Sequence, residues 1–200
     1  MTYNIQKKDI DKAAQILSQS FIDYPVFVYI IPDDAYRKRK LHYIFRFLIH
    51  LGLLNGEVIA PGEKIEAVSI WIHSTRNNTS LLTVLRAGLL SLYCHLNFGV
   101  MSRLLEVGAI KREMRNKIIS DPYCLFDMIG VDPLLQRHGF GRKLIEEKLI
   151  ELDNKKIPCY LETSRSEIVD FYENMGFKLI NEYMFKNIKV FCLLRQINGK

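Results

Sequence analysis

The chain has 200 residues, 48% hydrophobic and 25% charged, the balance of an ordinary globular protein with enough apolar material for a sizeable core, which argues against disorder. Lysine and arginine outnumber acids 28 to 22, for a net charge of +6 and a pI near 9.1. The resulting positive field attracts polyanions, so nucleic acid, anionic lipid and a phosphorylated cofactor all qualify, and charge alone does not choose among them.

Cys94, Cys124, Cys159 and Cys192 lie far apart, in apolar contexts and without metal-ligand spacing. They are expected to be reduced core residues of a cytoplasmic protein, with no metal. The amino terminus, MTYNIQKKDIDK, has no apolar signal region, so export is not indicated.

In chain order, Tyr3 to Gln6 reads as a short strand. Asp9 to Phe21 reads as a helix with Ala13, Ile16, Leu17 and Phe21 on one face. Pro25 and Pro32 break the chain, after which Asp33 or Asp34 can cap a helix running to about Leu51. Its opening run, Arg37 to Lys40, points around the whole helix, so a solvated face is expected there in preference to a nucleic-acid or lipid patch.

Two strands separated by a Pro-Gly turn follow, Glu57 to Ala60 and Ile65 to Ile72. A long helical region spans about Thr79 to Lys117, with a break near Asn97 to Gly99. Within it, Leu81 to Met101 is apolar enough to suggest a membrane span. It carries Arg86, His95 and Asn97, however, and Leu81, Leu85, Leu89, Leu92 and Leu96 form a helical stripe, so a long, partly buried helix is the expectation and no membrane partner is foreseen.

The remaining elements are a strand from Tyr123 to Val131, a helix from about Arg142 to Leu152, a strand from Cys159 to Thr163 and a helix from Ser166 to Met175. Strands at Lys178 to Phe185 and Lys189 to Arg195 complete the chain. No internal repeat or linker is evident.

The stretch VDPLLQRHGFGRKL, residues 131 to 144, carries the chemistry. A strand stopped by Pro133 meets a basic loop containing Gly139 and Gly141 that opens directly into a helix. The first amides of a helix have no intrahelical partner, and its dipole leaves partial positive charge there, which together suit a phosphate. Arg137, Arg142 and Lys143 add charge. The spacing excludes G-x-x-x-x-G-K-[ST], and Leu144 occupies the third glycine position of G-x-G-x-x-G.

What fits is Gln136-Arg137-His138-Gly139-Phe140-Gly141, a Q-x-x-G-x-G, preceded by FDMIGV and DP. This resembles the acyl-CoA loop of the GNAT superfamily of N-acyltransferases. The segment CYLETSRSEIVDFYENMGFKLI, residues 159 to 180, resembles that superfamily's following strand and helix and contains F-Y-x-x-x-G-F. The wording GVDP and LETS is most similar to the puromycin N-acetyltransferase-like branch.

The resemblance implies an α/β fold, α+β in its arrangement. Its mixed, mostly antiparallel sheet of about six or seven strands would carry helices on both faces, with a splayed strand pair holding acyl-CoA. It implies one domain over residues 1–200, a cofactor core over about 123–180 and acceptor-side helices over about 9–52 and 79–117. By the same resemblance, the main chain of Ile129 and Val131 would bond the pantetheine arm. Backbone donors from Gln136, Arg137, His138, Gly139, Phe140, Gly141 and Arg142 would hold the pyrophosphate, and Tyr172 would protonate the leaving thiolate. The alternative for Tyr172 is a core tyrosine with a satisfied hydroxyl. Ser164 and Glu167 can form a capping box for its helix, and Gly176 can close it. Where many relatives carry an asparagine four residues before the tyrosine, this chain has Ile168, which removes one polar contact to the cofactor.

An amine with a pKa near 10.4 is neutral in only about one molecule per thousand near pH 7.4, a deficit of about 4 kcal/mol. A group or water chain must therefore take its proton. Asp127 and Glu162 are the candidates, since carboxylates in apolar strands are unusual. Each is also readable as a buried acid paired with Arg, Lys or backbone. His138 lies in the phosphate loop and is expected to be a surface residue rather than a base.

Acetyl-CoA-dependent transfer to a primary amine of a small molecule or protein, by direct attack in a ternary complex, is the leading expectation. A non-catalytic acyl-CoA-binding module is the alternative, and a nucleic-acid binder using residues 37–40 is a third reading. No nucleic-acid partner is expected, and the protein is expected to be a monomer or homodimer.

Overall fold

A computed structural model describes residues 2–76, 80–120 and 122–197. Seven strands form one sheet in the order β1-β2-β3-β4-β5-β7-β6: β1 is Tyr3–Asn4, β2 Gly56–Ala60, β3 Ala67–His73, β4 Cys124–Val131, β5 Cys159–Thr163, β6 Lys178–Phe185 and β7 Ile188–Arg195. Every pairing is antiparallel except β4 with β5. Eight α-helices accompany the sheet among the described residues: α1 Ile10–Ser20, α2 Pro25–Ile30, α3 Asp34–Asn55, α4 Leu81–Arg86, α5 Leu89–His95, α6 Phe98–Ile118, α7 Phe140–Asn154 and α8 Val169–Glu173.

The sheet divides two apolar layers. On one side Leu17 of α1, Ile44, Phe45 and Ile49 of α3, and Val68 and Ile70 of β3 are fully or almost fully buried. On the other, Leu144, Ile145 and Leu152 of α7 pack with Trp71, Phe126 and Phe177, and the Trp71 and Phe126 rings stack with centroids 4.1 Å apart. Alternation along the strands sends successive side chains to opposite layers, which is why both layers draw on β3 and β4.

Several expectations are refined. Pro25 does not merely break the chain. It occupies the first turn of α2, where its missing N–H costs nothing. Asp33 is the cap of α3, accepting from the Tyr36 N–H at 2.6 Å, and that helix runs four residues beyond Leu51.

Arg37 is not solvated. It is 4% exposed and donates to the carbonyls of Ile22, Ile31 and Pro32 while pairing with Asp34 at 2.9 Å, so it clasps the turns on either side of α2. Lys38 and Arg39, its neighbours, are exposed.

The expected helical region starting at Thr79 begins outside the described residues, and it breaks twice. Asn97 caps α6 through the Val100 N–H, as the expected break near Asn97 requires. Gly88, at φ 101°, makes an earlier break between α4 and α5. Leu92 and Leu96 are buried, but Leu81 and Leu85 are exposed, so only the later part of the leucine stripe faces the core. Among the described residues no helix is long and apolar enough to cross a membrane. Cys124, Cys159 and Cys192 are buried as expected, whereas Cys94 is exposed. Burial pushes the Cys124 thiol up to about 12 and that of Cys192 up to about 11, which removes both as nucleophiles at neutral pH.

Candidate functional site

The site begins where two parallel strands separate. β4 and β5 pair only at Cys124/Cys159, Leu125/Tyr160 and Phe126/Leu161. Beyond Phe126, β5 continues to pair with β7 as far as Thr163, while β4 keeps its ladder only to β3. A one-residue bulge at Asp127 accompanies the separation: Trp71 faces Phe126 and Ile70 faces Met128, leaving Asp127 extra. The bulge interrupts the ordinary two-residue alternation of β4, so Phe126 packs in the α7 layer with Ile129 and Val131, while Met128 packs in the other.

The Asp132 N–H donates to the Glu66 carbonyl at 2.9 Å. In an antiparallel ladder this fixes Gly130 and Met128 as the residues whose main chain bonds to β3, and leaves the N–H and C=O of Ile129 and Val131 facing the gap. The Val131 carbonyl is already engaged, accepting from Ser20 Oγ at 2.8 Å and Gln136 Nε2 at 3.4 Å.

α7 starts beside that free edge. Gly139 is its N-cap at φ 83°, a left-handed conformation that a side chain would strain. The Lys143 N–H makes an early helical bond to the Gly139 carbonyl, so the amides of Phe140, Gly141 and Arg142 have no intrahelical partner. Gly141 has a different task. A Cβ there would lie 3.1 Å from Val131 Cγ2, so glycine lets the helix start sit directly on the end of β4.

Arg137 is exposed and itself left-handed at φ 65°, and His138 is exposed with Nδ1 2.9 Å from the Gln136 carbonyl. Arg142 and Lys143 carry i,i+4 partners, Glu146 and Glu147.

A cavity of about 270 Å³ fills the gap, bounded by Ile129, Val131, Gly141, Arg142, Ile168 and Tyr172 among others. Tyr172 is 7% exposed, and its ring meets Phe126 and Phe177 edge-on with centroids 6.0 and 5.9 Å away. Among the described residues its hydroxyl makes no hydrogen bond to another side chain or to the main chain. Burial, then the neighbouring Tyr24 and Cys159, push its pKa up, holding the phenol protonated.

The expected capping box at Ser164 is absent. Arg165 precedes a 3-10 turn, Ser166–Ile168, ahead of the five-residue α8, and Ser164 Oγ is buried without a partner among the described residues. What fixes Tyr172 lies at the other end of α8. Phe177 N–H donates to the Tyr172 carbonyl at 3.2 Å and Gly176 N–H to that of Glu173 at 2.9 Å, with Gly176 at φ 86°, the paired closure of a Schellman motif. Arg195 Nε adds a bond to the Met175 carbonyl, and the same guanidinium holds Asp153 of α7, with Nη2 to Oδ2 at 2.7 Å. Arg195 thus ties both flanking helices to β7.

A second cavity of about 580 Å³ lies among α2, α3 and the middle helices, and shares Phe21, Tyr24, Asp127, Met128 and Glu162 with the first. At this boundary the two expected carboxylates differ. Glu162 has a side chain 2% exposed and sits 3.4 Å from Arg115 Nε and 3.6 Å from Lys111 Nζ, and it accepts from the Tyr160 and Tyr183 hydroxyls at 3.2 and 3.4 Å. It is the paired buried acid. Asp127 makes no direct hydrogen bond or ion pair among the described residues. Burial opposes the charge on Lys111, but Glu162 and Asp127 outweigh it and raise its pKa.

Sequence reasoning did not find Lys111 and Arg115. Their i,i+4 spacing on α6 was the available signal. Tyr24 also escaped it: its hydroxyl accepts from the Ser164 N–H at 2.8 Å and ties the turn before α2 to the end of β5. No group of three or more potential metal ligands occurs among the described residues.

Comparison with known proteins follows the same geometry. A family model described as an acetyltransferase (GNAT) domain matches residues 99–179. An uncharacterized N-acetyltransferase of Schizosaccharomyces pombe is 27% identical over 181 residues, covering 86% of this chain and 72% of the relative. Among solved structures, a histone acetyltransferase HPA2 and related acetyltransferase from Corynebacterium glutamicum superposes with a TM-score of 0.72 at 14% identity, covering 100% of this chain and 97% of that one. Arylalkylamine N-acetyltransferase 2 from Aedes aegypti gives 0.57 at 16% identity, covering 99% of each chain. The ribosomal-protein-S18-alanine N-acetyltransferase from Escherichia coli gives 0.54 at 16%, covering 100% and 95%. At such identities the structural likeness shows the fold alone, and the likeness to an acetyltransferase (GNAT) domain is carried by the family model over residues 99–179 and by the curated relative.

Proposed function

We propose that the protein is an acetyl-CoA-dependent N-acetyltransferase that acylates a primary amine by direct attack in a ternary complex, with the whole chain as one domain. The observation that carries this reading is the meeting of the two cavities at Asp127. One is edged by free strand backbone and helix-start amides, and the other is walled by side chains. The residues present fit an acyl-CoA. The free main chain of Ile129 and the Val131 N–H suit the amides of a pantetheine arm, and the amides of Phe140, Gly141 and Arg142 suit its pyrophosphate.

When bound, acetyl-CoA supplies the activated acyl group. In this reading Tyr172, kept protonated by burial, donates to the departing sulfur. Asp127 attracts the acceptor ammonium and takes its proton, directly or through water. Glu162 holds Lys111 and Arg115 and so keeps the wall beside Asp127 in place; that is a positioning role, in contrast with the catalytic role read from the sequence. His138 remains a loop residue. Within the superfamily, GVDP at 130–133 and LETS at 161–164 support the puromycin N-acetyltransferase-like branch.

Calorimetric titration with acetyl-CoA and CoA tests the reading. Wild type is expected to bind both, and a variant with Gly139 and Gly141 both changed to valine is expected to bind neither while staying folded by circular dichroism. Absence of binding to the wild type would overturn the proposal. Binding without turnover of any amine would favour an acyl-CoA-binding module instead.

A further inference from the structure

Resting on the acetyltransferase reading, we infer that the acceptor is a bulky apolar primary amine, of the alkylamine or arylalkylamine class, rather than a polyamine, an amino sugar or a polypeptide terminus. The second cavity, at about 580 Å³, is more than twice the size of the first, and Phe27, Phe47, Leu51, Leu92, Met101 and Leu104 form much of its wall. Its charged residues are confined to α6, β4 and β5, namely Lys111, Arg112, Arg115, Asp127 and Glu162.

Two of the three cations are held against Glu162, which is itself fully occupied. Asp127 is then the one carboxylate of this wall, among the described residues, with no direct partner, and it stands where the two cavities join. Asp127 meets Lys111 and Arg115 only through longer-range attraction, so its carboxylate oxygens are open to one ammonium. A second ammonium would meet Lys111 and Arg115, and sugar hydroxyls or peptide groups deeper in would meet hydrocarbon and lose their hydrogen bonds to water. A hydrocarbon body gains from every methylene it buries there.

The test is a series of n-alkylamines from ethyl to octyl, with phenethylamine, compared with spermidine, glucosamine and a short peptide bearing a free amino terminus. Turnover is followed by CoA release, and binding is measured by calorimetry in the presence of CoA. The specificity constant is expected to rise about fourfold per added methylene until the cavity is filled, and the polar amines and the peptide are expected to be poor acceptors. Two substitutions in the wall, Gly108→Phe and Leu51→Trp, are tested separately. Gly108 borders the cavity, and a Cβ there meets nothing within 4 Å, so the substitution brings no clash at its Cβ. At least one of the two is expected to shift preference from octylamine toward ethylamine by tenfold or more, with retained CoA affinity reporting a folded protein.

Faster turnover of spermidine, glucosamine or the peptide, or no chain-length dependence with both variants unchanged in preference, would overturn this inference and leave acetyl transfer standing. No turnover of any amine by a protein that binds acetyl-CoA would overturn the transferase reading, and the inference with it.

Discussion

The two cavities that meet at Asp127 are built on opposite principles. The smaller is edged by backbone: the unpaired side of β4 and the first amides of α7 supply its polar groups, and its sequence requirement is two glycines, one for a left-handed turn and one for close helix–strand contact. The larger is made of side chains from α2, α3 and the helices after β3. A site that uses backbone tolerates almost any residue except where a side chain must be missing, so it leaves a short, recognisable pattern. A site built from side chains leaves only apolar residues at helical spacing, indistinguishable from core.

The contrast between the carboxylates at the junction sharpens this comparison. Glu162→Ala would leave Lys111 and Arg115 with only the more distant Asp127 to offset them, and is expected to destabilise the protein by about 3–5 kcal/mol. Chemical denaturation measures the loss. A change below about 1 kcal/mol would mean that solvent, rather than Glu162, holds those cations.

Tyr172→Phe removes the hydroxyl but keeps the ring packing, so stability should change little while turnover falls about a hundredfold or more. An unchanged rate would remove Tyr172 from the chemistry. Asn97→Ala, which deletes the cap of the helix walling the larger cavity, should cost about 1 kcal/mol and leave CoA affinity untouched. A parallel loss of CoA binding would show that the two cavities are not independent.

The smallest expected effect is on pH dependence. Burial first, and then nearby positive charge, depress the pKa values of His42 and His50 on α3. The unfolded chain therefore binds more protons than the native one, and stability should be retained above the ordinary histidine value of 6.5 and decline as pH falls below it. Melting temperatures between pH 7.5 and 5.5 check this. A flat profile for wild type that matches a His42→Gln, His50→Gln variant would refute it.

Much of the fold around the smaller cavity was legible. All seven strands were found, with ends off by a few residues, and the Q-x-x-G-x-G loop lies where the strand end and helix start meet. What escaped notice is instructive. α2 was hidden because Pro25 reads first as a breaker, and only its position at a helix start makes it compatible. The bulge at Asp127 has no local signature, because the extra residue is defined by the register against β3. The burial of Arg37 was equally invisible: a run of four basic residues reads as surface, and only the carbonyls of Ile22, Ile31 and Pro32 converging on it make burial tolerable. Pairing of Glu162 with Lys111 and Arg115 depends on α6 lying against β5, a contact across about fifty residues that periodicity does not encode.

The place of β7 in the sheet carries a consequence for how the molecule comes into being. Last of the strands in the chain, it inserts between β5 and β6, and Arg195 at its end clasps the helices that carry the helix-start amides and Tyr172. During synthesis, the glycine loop and the tyrosine emerge well before the strand that locks them. A nascent chain that has reached only β6 holds the recognisable motifs but not Arg195, and the clasp is completed only when β7, hairpin-paired with β6, adds to the free edge of β5. Such non-local closure is a slow class of folding step, so competence is expected to arrive late and all at once rather than to accumulate as the motifs appear.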